Sequence, residues 1–168
     1  MKILTGGRIS GSVRDIRGGY SCVCFSEAPI SAIGQVLARQ DSGIRYGPYG
    51  FMFSKDYLFE QGARPVLYQT EEEYALLPEE LQYKHVKLEL ARDPKVDWSC
   101  EREWRQKADY LNLDIRRTTL ILPTRVDMEE FIHQYQMSMR EIGNSFLGTF
   151  PQVLWHFIIL EDLGFVIC

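Results

Sequence analysis

The alternation of apolar and polar residues along the chain predicts a series of short β-strands. Residues 20–26 (YSCVCFS) are dense in β-forming residues and follow the turn-forming pair Gly18-Gly19, so we expect a central strand there. The segment 153–160 is apolar on all sides, a pattern shared by buried strands and buried helices, and its β-branched and aromatic content favours a strand. Further strands are predicted over residues 51–53, 64–69, 83–90 and 118–122.

Apolar residues at spacings of three and four predict the helices. One helix is expected to begin at Pro29 and to run through residues 30–37. A long helix that ends at Gly143-Asn144 is also predicted, and Asp127-x-x-Glu130 resembles a capping box for it. Shorter helices are predicted from Lys55 to Gln61, stopping at Gly62, and over the single turn 78–81.

These elements predict an α+β fold. We find no internal repeat, low-complexity tract or linker in the sequence, so we expect one continuous domain over residues 1–168. Its strands are expected to form a mixed or split β-sheet flanked by helices.

Composition and charge narrow the function classes. The net charge of −4 and the pI near 5.4 do not provide the basic field of a general nucleic-acid binder, so a polyanionic partner would have to bind at a local patch. The pair Cys22-x-Cys24 suits neither a disulfide framework nor a zinc knuckle, and reduced thiols are expected. With no charged-then-apolar leader and no apolar run long enough to span a bilayer, we expect a cytoplasmic protein that does not bind membranes.

The segment Trp98–Arg105 (WSCEREWR) places acids and bases on a predicted buried strand. Alternation along a strand would put Glu101, Glu103 and Arg105 on one face. Buried charges must either be paired with opposite charges or serve in catalysis or binding. The pattern therefore predicts either an ion-pair lattice between strands or the floor of an active site. The residues alone leave both interpretations open.

Other candidate chemistry is weaker. The glycine-rich stretch with Tyr46 and Tyr49 could form an aromatic loop that stacks a flat ring, or a simple connection. No metal site is expected, because the three histidines lack ligand-spaced partners. A Ser-His-Asp or Cys-His hydrolase is also not indicated, since no nucleophile elbow occurs.

Several motifs follow one another in a specific order over about the first two thirds of the chain. They are Ile3-Leu4-x-x-Gly7, Ile16-Arg17-Gly18-Gly19-Tyr20, Cys22-Val23-Cys24-Phe25-Ser26-Glu27-Ala28-Pro29, Tyr46-Gly47-Pro48-Tyr49-Gly50-Phe51, Lys55, Arg64-Pro65-Val66-x-Tyr68 and a Glu-x-Glu-Trp-Arg element at residues 101–105. Together these motifs resemble a bacterial family of uncharacterised proteins similar to abortive phage-infection proteins. More distantly, the arrangement is similar to the DNA-targeting ADP-ribosyltransferases of toxin–antitoxin systems.

This resemblance implies an ADP-ribosyltransferase-like fold with NAD as substrate and no metal. Glu103 would bind the nicotinamide ribose 2′-hydroxyl and stabilise an oxocarbenium-like transition state, and Arg105 would orient it. Tyr49 would stack on the nicotinamide, with Arg17 and Lys55 near the pyrophosphate. The implied cofactor-binding set is completed by Tyr46 and Glu27.

The resemblance thus predicts an antiviral transferase of abortive infection that moves ADP-ribose from NAD to a nucleic-acid or protein acceptor. Longer relatives carry a His-Phe-Thr-like strand upstream of Ile3-Leu4, and this chain begins at Met1, so the first NAD-binding element is expected to be absent. The alternative is a non-catalytic interaction module on the same scaffold, an antitoxin or a phage-sensing partner. A nuclease is disfavoured, because no metal–carboxylate cluster or histidine pair can be assembled.

Overall fold

The computed structural model describes residues 7–32, 47–142 and 154–165, except for the side chains of residues 139–142. Of the helix predicted to begin at Pro29, residues 30–32 are helical and residues 33–37 lie outside the described residues. The predicted end of the long helix at Gly143-Asn144 also lies outside them.

The protein is α+β, as predicted, and its strands form several small sheets. The elements, in chain order, are β1 (Arg8–Ser10), β2 (Cys22–Ser26), β3 (Gly50–Phe53), α1 (Lys55–Glu60), β4 (Arg64–Pro65), β5 (Leu67–Gln69), α2 (Glu71–Tyr74), β6 (His85–Lys87), β7 (Glu103–Lys107), β8 (Tyr110–Asn112), β9 (Thr118–Leu122), α3 (Arg125–Ile142) and β10 (His156–Ile159). Short 3₁₀ turns cover Arg17–Gly19, Glu79–Lys84, Ser99–Glu101 and Glu161–Leu163.

Contacts along the chain group the elements into two compact units. The first comprises residues 1–32 and 55–113, and the second comprises residues 33–54 and 114–168. The expectation of a single domain over the whole chain stays a prediction.

In the first unit, β7 is the central strand of a three-stranded antiparallel sheet with the order β2–β7–β4. Two-stranded sheets pair β1 with β8 and β5 with β6. The strand predicted over residues 20–26 is confirmed as β2, and its Val23 is buried together with Trp104 of β7. Cys24 lies opposite Arg105 in the register of β2 and β7.

The charged segment was predicted as a strand throughout, and this is wrong for its first half. Residues Ser99–Glu101 form a 3₁₀ turn, and Arg102 has a left-handed backbone with φ of 48°. The side chain of Asp97 starts this turn, because its carboxylate accepts hydrogen bonds from both the N–H and the hydroxyl of Ser99. Glu101 therefore does not share a strand face with Glu103, at which β7 begins.

Other strand boundaries in this unit are shorter than the sequence pattern predicts. The segment 64–69 divides into β4 and β5, and the strand predicted over residues 83–90 is reduced to β6. The helix predicted from Lys55 to Gln61 is confirmed as α1, and Gly62 follows it with φ of 88°, a conformation that glycine adopts without a steric penalty.

In the second unit, β9 is the central strand, antiparallel to β3 and parallel to β10. Thr118, Leu120 and Leu122 are buried along one face of β9. The long helix α3 connects the two parallel strands, as a crossover connection requires, and its buried Phe131 packs against the ring of Phe157 with centroids 5.7 Å apart. The strand prediction over residues 118–122 is confirmed. The one over residues 153–160 is confirmed for the shorter strand β10, and its first residue lies outside the described residues.

The N-terminus of α3 is capped by a reciprocal pair of side chains. The Asp127 N–H donates to the Thr124 hydroxyl at 3.1 Å, and the Thr124 N–H donates to the Asp127 carboxylate at 3.2 Å. The helix therefore begins one turn earlier than the predicted Asp127-x-x-Glu130 box implies, and the aspartate is the second member of the box. Its hydrogen bond with Thr124, reinforced by one from Tyr49, lowers the pKa of Asp127.

We predict that Thr124→Ala destabilises the protein by about 1 kcal/mol, because it removes the acceptor for a helix N–H that has no partner within the helix. Urea unfolding followed by circular dichroism measures the change. Thr124→Ser keeps the hydroxyl and should lose much less. Equal losses in the two variants would show that the cap does not stabilise α3.

Candidate functional site

Glu103 and Arg105 form the central ion pair of the first unit. The two side chains project from the same face of β7, two residues apart. The Arg105 Nε donates to Glu103 Oε1 at 2.7 Å, and a terminal nitrogen donates to Oε2 at 3.2 Å. This bidentate arrangement fixes the position of the carboxylate.

The guanidinium lies deeper than the carboxylate it holds. The Arg105 side chain is 6% exposed, whereas that of Glu103 is 15% exposed. The remaining terminal nitrogen of Arg105 donates to the backbone carbonyls of Tyr83 and His85 at 2.7 and 3.1 Å. The arginine is therefore anchored to a neighbouring segment of backbone, and it presents a partly exposed carboxylate.

Cys24 lies beside the carboxylate across the strand pair. The residue as a whole reaches solvent. Desolvation of its sulfur nevertheless raises the pKa of the Cys24 thiol to about 12, and the negative charge and hydrogen bonding of Glu103 act in the same direction. The thiol is accordingly a protonated neighbour of Glu103 and a poor nucleophile at neutral pH.

A second polar cluster lies on the opposite face of β7. Trp104 donates its indole N–H to Glu27 at 2.9 Å, and Glu27 also accepts hydrogen bonds from Lys55 at 2.8 Å and from Arg102 at 3.2 Å. The Lys55 ammonium lies 5.0 Å from the centroid of the Trp104 ring. The hydrogen bond from Lys55, followed by that from Trp104, lowers the pKa of Glu27.

The structure does not bring Glu27 and Lys55 to the face that carries Glu103. Successive side chains of a strand point to opposite faces, and Glu27 binds Trp104, the residue between Glu103 and Arg105. The cofactor-binding residues predicted for the first unit thus form more than one cluster.

Arg17 belongs to a third cluster. It forms an ion pair with Glu71, and its guanidinium lies 5.0 Å from the centroid of the Tyr74 ring. Both partners belong to α2, which has a capping box between Thr70 and Glu73. Arg17 therefore connects the 3₁₀ turn Arg17–Gly19 to the short helix α2.

Of the two tyrosines predicted to contact the nicotinamide, Tyr46 lies outside the described residues. Tyr49 belongs to the second unit, where its hydroxyl donates to Asp127 at 2.7 Å. This hydrogen bond is the main reason that the pKa of Tyr49 is raised. Its side chain is 61% exposed, so the ring keeps a free surface.

Sequence reasoning missed two features of the site. The indole of Trp104 was treated only as part of a motif, and its bond to Glu27 joins residues 77 positions apart, which no local pattern reveals. The 3₁₀ turn before β7 had a local signal, because an Asp-x-Ser sequence at Asp97 is typical of side-chain-stabilised turns.

The described residues contain neither a metal-ligand cluster nor a membrane-spanning helix. Within ranges 7–32, 47–142 and 154–165, no three His, Cys, Asp or Glu side chains are grouped closely enough to hold a metal ion. Among the helices of these ranges, none is both long and apolar enough to cross a membrane.

Comparison with known proteins finds no matching family model, curated protein or solved structure. The family resemblance therefore rests on the sequence motifs quoted above.

We predict that Glu103→Gln destabilises the protein by about 3 kcal/mol, because it leaves the buried Arg105 charge without its counter-ion. Urea unfolding monitored by tryptophan fluorescence measures the loss. Glu80→Gln removes the same charge from an exposed position in the same unit and should change stability by less than about 0.5 kcal/mol. Similar effects of the two substitutions would show that the ion pair contributes little.

We also predict that Cys24 resists alkylation in the folded protein. A rise in pKa from 9.0 to about 12 lowers the thiolate fraction about 1000-fold at any pH well below 9. Iodoacetamide at pH 8, followed by peptide mass spectrometry, should modify the exposed Cys100 well before Cys24. In urea the two rates should converge. Equal rates in the native protein would contradict the pKa shift and its cause.

Proposed function

We propose that the chain is an ADP-ribosyltransferase-like protein of phage defence, which uses Glu103 to transfer ADP-ribose from NAD to a nucleic-acid or protein acceptor. The observation that carries the proposal is the bidentate Glu103–Arg105 pair, in which a buried guanidinium holds a partly exposed strand carboxylate. The ADP-ribosyltransferase-like fold is part of the same proposal.

The bound carboxylate retains acceptor capacity for a substrate. Two carboxylate oxygens offer about four lone-pair sites. Arg105 occupies two of them and the Cys24 thiol one. A ribose hydroxyl can therefore donate to Glu103 without displacing the arginine.

The reaction would place positive charge close to this carboxylate. In ADP-ribose transfer, the bond between ribose C1′ and the nicotinamide nitrogen breaks, and nicotinamide leaves with the electron pair. The acceptor then bonds to C1′ and loses its proton. A fixed anion beside the ribose lowers the energy of the oxocarbenium-like transition state, and a carboxylate already positioned by Arg105 needs little reorganisation.

Nicotinamide release from labelled NAD tests the proposal. Purified protein is incubated with single-stranded DNA, duplex DNA, RNA and cell-extract proteins in turn, and both free nicotinamide and labelled acceptor are measured. We expect acceptor-dependent release that falls about 100-fold or more in Glu103→Gln. If the unmodified protein releases no nicotinamide and labels no acceptor in any mixture, the transferase proposal is rejected.

Because Glu103→Gln also weakens folding, controls must separate stability from chemistry. The assay is run at a temperature where circular dichroism shows both variants folded. Glu80→Gln, which removes an exposed carboxylate from the same unit, should keep full activity. Glu103→Asp keeps the charge and withdraws it by one methylene, so it should fold better than Glu103→Gln and still lose most of the activity.

A second candidate function is a non-catalytic interaction module of phage defence, an antitoxin or a phage-sensing partner. A specific observation favours it. The two cations expected near the pyrophosphate are already engaged, Arg17 with Glu71 and Lys55 with Glu27. An NAD site would need these pairs to open, or other cations to replace them, whereas an interaction module needs neither change.

Affinity capture tests this second function. The tagged chain is recovered from phage-infected and uninfected cells, and bound proteins are identified and then re-tested as purified partners. A stoichiometric partner whose binding is unchanged by NAD and by Glu103→Gln supports the module. A partner that is ADP-ribosylated during capture supports the transferase instead.

A further inference from the structure

The second unit contains an open cavity of about 380 Å³ that none of the predicted site residues lines. This volume lies at the small end of the range for ligand pockets, about 300 to 1000 Å³. The cavity lies beside the paired strands β3 and β9. Its lining combines two arginines and two hydroxyl groups with two apolar residues: Met52, Phe53, Ser54, Arg116, Arg117 and Thr119.

The strand register explains why four of these six residues meet. Met52 lies directly opposite Thr119 in the antiparallel pair of β3 and β9. Side chains two residues apart share a face, so Ser54 and Arg117 extend the same face by one position beyond each strand. The other face of β9 carries the buried residues of the core. Met52 and Thr119 therefore line the cavity from the strand face opposite the core, at the end of the strand pair where Phe53 also reaches it.

A tight turn that begins at Asp114 places Arg116 and Arg117 at the edge of the cavity. The Arg117 N–H donates to the Asp114 carbonyl at 3.0 Å, and the Arg116 N–H donates to the Asp114 carboxylate at 2.9 Å. The Asp114 carboxylate is thus used to form the turn. Within the described part of the chain, the Arg116 guanidinium has no hydrogen bond or ion pair.

We propose that this cavity binds the phosphate group of a small phosphorylated molecule. Arg116 would bind the phosphate oxygens through its planar set of N–H donors, and the Thr119 hydroxyl would donate a further hydrogen bond. A guanidinium matches a phosphate in geometry as well as in charge. The proposal goes beyond the transferase function and does not rest on it.

The apolar part of the lining favours an organic phosphate over the free ion. Met52 is 38% exposed and lies opposite Thr119 in the strand pair. A thioether packs well against the face or edge of a flat ring. AMP carries both a phosphate and a flat ring, so it is a suitable probe, and inorganic phosphate and adenosine each supply one half of it.

Isothermal titration calorimetry with AMP, inorganic phosphate and adenosine tests the proposal on the full chain. AMP should bind, adenosine should not, and the affinity for AMP should fall as salt is raised, because the contact is exposed and charged. Binding of inorganic phosphate as strong as that of AMP would also support the site and would assign recognition to the phosphate alone. Adenosine binding as tightly as AMP would overturn the proposal.

Substitutions locate the site. Arg116→Gln should weaken AMP binding about tenfold or more. Thr119→Val, which is nearly isosteric and suits a strand, should weaken it by a smaller factor. Arg14→Gln removes an exposed arginine from the first unit and should leave AMP binding unchanged. Thermal unfolding should show all three variants folded.

Two further results would overturn the proposal. The first is that the unmodified protein binds neither AMP nor inorganic phosphate at millimolar concentration. The second is that Arg116→Gln binds AMP as tightly as the unmodified protein does. Because nicotinamide release is measured separately, loss of transferase activity and loss of phosphate binding can be told apart.

Discussion

The buried guanidinium of Arg105 is the constraint on which the first unit depends. A buried charge is tolerated only when its donors are satisfied. Arg105 meets this requirement with the Glu103 carboxylate on its own strand and with two backbone carbonyls, those of Tyr83 and His85. The arginine therefore joins the central strand to the segment that leads into β6, and it fixes where the carboxylate lies.

The same strand carries different chemistry on its two faces. Glu103 and Arg105 pair on one face, while Trp104, between them in sequence, bonds Glu27 on the other. Glu27 also forms ion pairs with Lys55 and Arg102. Glu103 pairs with one cation on its face, whereas Glu27 pairs with two on the other, and the two clusters share no residue. In the transferase proposal, Glu103 is therefore the carboxylate that binds the substrate. Glu27 and Lys55 stabilise β7 from its other face.

The second unit depends on the start of its long helix. Asp127 closes the cap with Thr124 and also accepts the hydroxyl of Tyr49, which lies just before β3. One carboxylate thus connects the helix to an outer strand of the sheet. The buried apolar side chains of β9, Leu120 and Leu122, share one face of the sheet, and Met52 and Thr119 of the arginine-lined cavity lie on the opposite face.

From the sequence alone we could predict the fold class, most of the elements and the shared strand face of Glu103 and Arg105. These follow from local spacing, since residues two apart on a strand share a face and helical side chains recur every three or four positions. Tertiary structure alone decided which charges meet. Glu27 reaches Trp104 across 77 positions, and Arg17 reaches Glu71 across 54. It also decided where β7 begins and how the Arg116 cavity is lined, because strand register and backbone turns bring together residues that are distant in sequence.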